Sequence, residues 1–168
     1  MYALTVFTPI DPSRVDHLSE YIDALPTPSP VTRLPTTHFA RWVIVPDFIS
    51  DPGQPHRESL PGPYLLFSAT FDGALERYLD DLCEQIPDEA AEIWGCCIGA
   101  PQPAAGAALQ AYLRHNQIDT GLFFAAYPGA SAALVKDALR IREQTIAFAV
   151  ESQGLSPAEM RAAFRKAF

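Results

Sequence analysis

The chain has 168 residues, 48% hydrophobic and 19% charged, which is enough apolar matter for one compact domain and too little charge for a disordered chain. A formal net charge of -8, with no run of Lys or Arg, excludes a nucleic-acid partner of the usual electrostatic kind. No stretch approaches the ~20 apolar residues of a membrane span, and the start lacks a signal-peptide pattern, so we expect a cytoplasmic protein with no membrane partner.

The first half of the chain predicts three strands and one helix. Residues 2–8, 37–45 and 64–71 are rich in β-branched and aromatic side chains, as strands are. Between the first two strands, Asp11 and Pro12 form a helix start, and the stretch 47–63 is a long loop rich in Pro and Gly. The apolar face of the helix is formed by Val15, Leu18, Ile22 and Leu25.

The second half predicts helices around one further strand. Helical spacing of apolar residues runs over 75–86, resumes after Pro87 and recurs briefly over 109–115. Residues 120–127 predict a fourth strand. Ser131 and Ser156 then cap two final helices, and Gly154 is the expected C-terminal cap between them. The inward stripe of the first of these helices is predicted to be Leu134, Ala138, Ile141, Thr145 and Phe148.

The order of these elements defines the expected fold class, which is α+β. Strand, helix, strand, strand, helix, strand is the β-α-β-β-α-β order of a ferredoxin-like antiparallel sheet, with additional C-terminal helices. We expect a single domain, 1–168, in which residues 1–130 form the ferredoxin-like core and residues 131–168 form a helical extension.

By this element order the chain resembles the dimeric α/β-barrel superfamily, in which two ferredoxin-like sheets pack face to face. The phrases Leu-Leu-Phe-Ser-Ala-Thr-Phe-Asp-Gly over 65–73 and Tyr-Pro-Gly over 127–129 are similar to segments of an uncharacterised bacterial family. The resemblance implies a homodimer. It covers haem-dependent peroxidases as well as cofactor-free monooxygenases, isomerases and cyclases, so it leaves the reaction open and makes a haem-binding protein one alternative.

The strands that are apolar on both faces carry the candidate site. Arg41 is the only cation on its strand face, and Tyr64, Ser68 and Thr70 collect on one face of the third strand. If these residues share a face, Arg41 binds a carboxylate or enolate oxygen while the hydroxyl groups orient the ligand. The alternative is an ion pair of Arg41 with Asp47 or Asp72, which would be structural.

Two histidines are candidate general bases, because imidazole titrates near neutral pH. His38 lies at the start of the second strand, and His115 lies shortly before the predicted fourth strand. The histidines are scattered along the chain, and Cys83, Cys96 and Cys97 lack CxxC spacing. We therefore expect no metal site, no disulfide and no bound cofactor.

Two functions remain open at this point. The first is a cofactor-free isomerase, cyclase or oxygenase that binds a small anionic, partly apolar molecule on the open sheet face. The second is a non-catalytic module that uses the same face for dimerisation or for docking another protein. The final helix could instead fold back over this face, since Met160, Phe164 and Phe168 recur at a spacing of four.

Overall fold

The structure is a computed structural model that describes residues 1–49, 51–56 and 58–168. Contacts between Cα atoms group the chain into two compact units, Met1–Gly129 and Ala130–Phe168, and each unit is described by itself. Strands and helices occur together in the first unit, so the α+β class is confirmed. No described helix is long and apolar enough to cross a membrane.

Three antiparallel strands form the sheet of the first unit. They are β1 (Tyr2–Pro9), β2 (Thr37–Val45) and β3 (Tyr64–Phe71), and their order in the sheet is β1-β3-β2. Burial alternates strictly along β1 and β3, as expected when only one face of a sheet packs against helices. The three strands predicted from composition are therefore confirmed.

The predicted fourth strand over 120–127 is wrong, because these residues form no strand in the structure. The preceding residues do lie beside β1: the Phe7 amide donates to the Asn116 carbonyl at 3.0 Å, and the Ile118 amide donates to the Thr5 carbonyl at 2.9 Å. Gln117 lies opposite Val6 in this antiparallel bridge. If the same register continued, Leu122 would lie opposite Met1, so most of the predicted strand would have no partner strand left.

Four helices and two 3-10 turns complete the first unit. The connection from β1 to β2 contains the turns Pro12–Arg14 and Pro30–Arg33 and the helix α1 (Val15–Asp23). Asp11 caps the first turn by accepting a hydrogen bond from the Ser13 amide, as the sequence predicts. After β3 come α2 (Leu75–Gln85), α3 (Pro87–Trp94) and α4 (Gly106–His115).

The core lies between one face of the sheet and these helices. Leu4, Val6, Leu65 and Phe67 on the strands are buried against the helical residues Leu79, Leu82, Ile93 and Trp94. Trp94 packs edge-on against Phe67, with ring centroids 5.3 Å apart, and Trp42 covers the same ring at 5.2 Å. The helices of the first unit therefore pack on one face of the sheet, and none of them covers the other face, which we call the open face.

A bulge at His38 decides which side of the sheet each β2 residue meets. Thr37 lies opposite Phe71 and Phe39 lies opposite Thr70, so β2 has one residue more than β3 at this point. Thr37 accordingly reaches the helical side, where its hydroxyl group lies 3.4 Å from the Tyr78 hydroxyl. Phe39 points to the open side.

The second unit is a helical hairpin. It consists of α5 (Ala132–Glu151) and α6 (Pro157–Ala167), so both predicted C-terminal helices are confirmed. Ser131 caps α5, and Ser156 and Glu159 form a reciprocal capping box on α6. Gly154 has φ of +84° in the turn between the helices, a conformation that favours glycine.

Candidate functional site

The open face of the sheet gathers the predicted binding residues. Phe39, Arg41 and Val43 of β2 lie opposite Thr70, Ser68 and Leu66 of β3. Because residues directly opposite each other in a sheet share a face, Arg41 and the β3 hydroxyl groups stand on the same side. The predicted anion site required Arg41 and these hydroxyl groups on one face. The pairing register of β2 with β3, together with the bulge at His38, produces this arrangement.

Arg41 and Ser68 are in direct contact. The Arg41 Nε–H donates to the Ser68 hydroxyl oxygen at 3.1 Å, which fixes the guanidinium over the middle of the sheet. A guanidinium has five N–H donors, and this hydrogen bond uses one of them. The Ser68 hydroxyl hydrogen is left available to donate, since the oxygen acts as the acceptor.

The structural alternative for Arg41 is not seen within residues 1–49, 51–56 and 58–168, where no ion pair of Arg41 occurs. The Asp47 carboxylate accepts hydrogen bonds from the backbone amides of Phe48 and Leu60, at 2.8 and 2.7 Å. The Asp72 carboxylate contacts His38 Nε2 at 3.0 Å. Both carboxylates named as possible partners therefore have other contacts.

A groove of about 540 Å³ opens over Arg41 and Ser68. This volume lies within the range of ~300–1,000 Å³ that is typical of small-molecule sites. The three strands form its floor, and the chain after the Gln117 bridge forms one wall. Its lining residues are Ala3, Leu4, Thr5, Phe39, Ala40, Arg41, Ser68, Ala69, Thr70, Thr120, Leu122 and Phe123.

The wall formed by residues 120–123 was missed by the sequence reasoning. The apolar pattern of these residues predicts a strand, whereas in the structure Leu122 is 88% exposed and Phe123 is 38% exposed beside the open face. The length of β1 is the feature that could have revealed this. In the register of the Gln117–Val6 bridge, residues after 121 would lie beyond the first residue of β1, and Leu122 and Phe123 line the groove over the sheet face instead.

The two other predicted hydroxyl residues differ in position. Thr70 lines the groove, and its hydroxyl oxygen is buried without a hydrogen-bond partner among the described residues. Tyr64 lies on the same face at the other end of β3, where it stacks on Phe7 with ring centroids 4.4 Å apart. Tyr64 is not part of the groove lining, so the structure brings together Arg41, Ser68 and Thr70 without it.

Neither predicted catalytic histidine lines the groove. His38 occupies the bulge beside Phe39, its side chain is only 8% exposed, and its Nε2 contacts the Asp72 carboxylate. His115 is exposed in the last turn of α4. The two histidines are therefore separate from the Arg41 groove and from each other in the fold.

The groove residues do not fit a haem. Haem iron takes an axial His, Cys, Met or Tyr ligand, and none of the described residues lining the groove is of these types. In the described residues, no group of three or more His, Cys, Asp or Glu side chains is placed to hold a metal ion. The cysteines are free thiols, and burial raises the pKa of Cys97 to about 11, so this thiol is not poised as a nucleophile.

The chain was compared with models of protein families, with curated proteins and with solved structures, and none of the three comparisons gave a match.

Proposed function

We propose that the open sheet face binds a small organic anion, a monocarboxylate with an apolar body. The observation that carries this proposal is the Arg41 guanidinium, which is fixed in a mostly apolar groove by Ser68 and has no carboxylate partner among the described residues. The Arg41 guanidinium can bind a carboxylate at this position, because its unused N–H donors match both carboxylate oxygens.

The other residues that line the groove favour a ligand with a single negative charge and an apolar body. Arg41 is the only ionisable side chain among the described lining residues, so a second anionic group would find no partner. Phe39, Leu122 and Phe123 supply apolar contact area, and Phe39 is 79% exposed. Covering these side chains with a ring or a branched chain removes apolar surface from water.

Binding is better supported than catalysis. A general acid or base must come within ~3 Å of the reacting proton, directly or through one water. The described lining contains no His, Asp, Glu, Cys, Lys or Tyr. An isomerase, cyclase or oxygenase acting through His38 stays a prediction that requires His38 to leave Asp72, and activity through His115 would require a site elsewhere.

The test compares two matched probes, 2-naphthoate and its neutral amide 2-naphthamide, by calorimetric titration. We expect naphthoate to bind more tightly than naphthamide, and Arg41→Ala to weaken naphthoate binding about tenfold while leaving naphthamide unchanged. A charge-assisted hydrogen bond contributes ~1.5–3 kcal/mol, and the lower end applies because Arg41 is solvent-exposed. The Arg77→Ala variant is the control, since Arg77 pairs with Asp81 on α2, outside the groove. Equal binding of both probes, or equal losses in the two variants, would refute the proposal.

A second candidate function is dimerisation through the same face. The observation in its favour is the exposure of Phe39 and Val43, at 79% and 39%, on the sheet face that no helix of the first unit covers. Twofold pairing would cover both copies of this surface at once. Phe39→Asp would then abolish the dimer in sedimentation, because a carboxylate would be placed in the paired face.

We also propose that the first unit is a ferredoxin-like domain with a shortened fourth strand, as the resemblance to dimeric α/β-barrel proteins implies. The strand order β1-β3-β2, the helix between β1 and β2, and the helices after β3 support it. Residues 116–118 occupy the edge of β1 where a fourth strand would lie.

A further inference from the structure

One stripe of α5 has the spacing of a helix–helix seam. Leu134, Ala138, Ile141 and Thr145 follow one another at steps of four, three and four residues, the alternation typical of paired helices. We call these four residues the α5 seam. The Thr145 hydroxyl donates to the Ile141 carbonyl at 2.7 Å, so its polar group is already satisfied on the helix.

Within the helical unit, α6 leaves the α5 seam uncovered. Phe148, the next residue at the same spacing, is half-buried and contacts the rings of Phe164 and Phe168, with centroids 5.7 and 6.0 Å away. All four seam residues are at least partly exposed, with Leu134 at 55% and Ile141 at 48%. The difference follows from where α6 ends, because the ring of Phe168, the residue after α6, lies beside Phe148, three residues beyond Thr145 on α5.

The helical unit also lacks a core of its own. Its only buried residues within 130–168 are the small side chains Ala132 and Ser152. The aromatic contacts of Phe148 do not change this, since Phe164 and Phe168 remain 53% and 54% exposed. Segments below ~40 residues that cannot bury an apolar core usually depend on association.

Charges beside the α5 seam specify how two copies would pair. Asp137 precedes Ala138, and Arg142 follows Ile141, so the two charges flank the seam on opposite sides. In a parallel pair, a residue at the first flank faces the partner residue five positions further along. Asp137 of each copy would then face Arg142 of the other. In an antiparallel pair, the same flank of both helices meets. Arg142 of one copy would then approach Arg142 of the other copy.

We propose that the α5 seam is a self-association surface on which α5 of a second copy packs in parallel, forming a twofold dimer. The partner is a second copy because twofold pairing covers both seams with one contact and makes two Asp137–Arg142 ion pairs. In the single chain, Asp137 already lies 3.5 Å from Arg140 on its own helix, an exposed contact that an interhelical pair can replace.

The first test is sedimentation of the full chain at a concentration on the order of 100 µM, where associations of micromolar affinity are populated. We expect a dimer that Ile141→Asp converts to a monomer, because a carboxylate would be placed in the seam. Val150→Asp is the matched control: Val150 is 63% exposed and lies nine residues on, half a turn away from Ile141, so the dimer should persist. Circular dichroism confirms that each variant keeps its helices.

Other results would overturn the proposal. A wild-type monomer would do so, including the case in which the first unit covers the seam. A dimer that resists Ile141→Asp but is lost in Phe39→Asp would assign the interface to the open sheet face. Neither result affects the Arg41 proposal, which is tested by ligand binding.

The second test examines the parallel arrangement by exchanging charges. We expect Asp137→Arg to weaken the dimer at least about fivefold, because the introduced guanidinium would face Arg142 of the other copy. The additional change Arg142→Asp should restore the dimer, since the two charges would again be opposite. Loss of the dimer without restoration in the double variant would refute the parallel pairing.

Discussion

The Cys97 thiol shows how burial controls chemistry at a single residue. It lies 5% exposed in the core, 3.3 Å from the Thr8 hydroxyl, and desolvation by burial is the main cause that raises its pKa to about 11. Two further thiols, Cys83 and Cys96, have pKa values raised in the same direction by burial. Only the thiolate reacts with alkylating reagents.

We therefore expect Cys97 to be alkylated by iodoacetamide at pH 8 about a hundredfold more slowly in the folded protein than in urea, since roughly two pKa units separate its thiol from an ordinary one. Mass spectrometry of timed digests would measure the rate at each cysteine. A folded-state rate for Cys97 equal to that in urea would show that this thiol is accessible and ionised.

At the scale of elements, the start of α6 carries a pH-dependent contact. The Ser156 hydroxyl and the Ser156 amide both donate to the Glu159 carboxylate, at 2.6 and 2.9 Å. These hydrogen bonds, the hydroxyl one first, hold the pKa of Glu159 below its usual value. A carboxyl whose folded-state pKa is lowered stabilises the fold above its unfolded pKa, and this contribution is lost as the pH falls through the folded value.

Ser156→Ala should consequently raise the pKa of Glu159 toward that of an unfolded chain and reduce the acid-dependent part of α6 stability, because alanine keeps the amide hydrogen bond and loses the hydroxyl one. NMR titration of the Glu159 side chain measures this pKa, and Arg161→Ala is a control on the same helix that leaves the capping box intact. An unchanged Glu159 pKa in Ser156→Ala would show that the capping box does not form in solution.

The elements also show where sequence reasoning succeeded and where it could not. Caps such as Asp11, Ser131 and Ser156 are local, so a few neighbouring residues determine them. The segment 120–127 failed because a strand needs a partner in register, and the Gln117–Val6 bridge fixes that register from outside the segment. Propensity describes how well a residue suits a strand and leaves open whether a neighbouring edge exists.

At the scale of the whole molecule, local sequence patterns predict one part of the candidate site, and contacts between distant segments determine the rest. Alternation along β3 placed Ser68 and Thr70 on one face, because a period of two needs no tertiary information. Whether Arg41 shares that face depends on the pairing register of β2 with β3, which joins two distant segments. The bulge at His38 and the wall at Leu122 and Phe123 depend on contacts between distant segments, which no local pattern contains. The inward stripe predicted for α5 contacts α6 at Phe148, whereas Leu134 and Ile141 are exposed.

The most direct measurement of the central claim is NMR of the Arg41 side chain during titration with 2-naphthoate. We predict that the Arg41 Nε–H resonance and the backbone amides of Phe39, Ser68 and Thr70 shift saturably with naphthoate, and that naphthamide leaves Arg41 Nε–H unmoved. If the naphthoate shifts instead map to residues outside the groove, such as the α5–α6 hairpin, while Arg41 stays unchanged, the open sheet face is not an anion site.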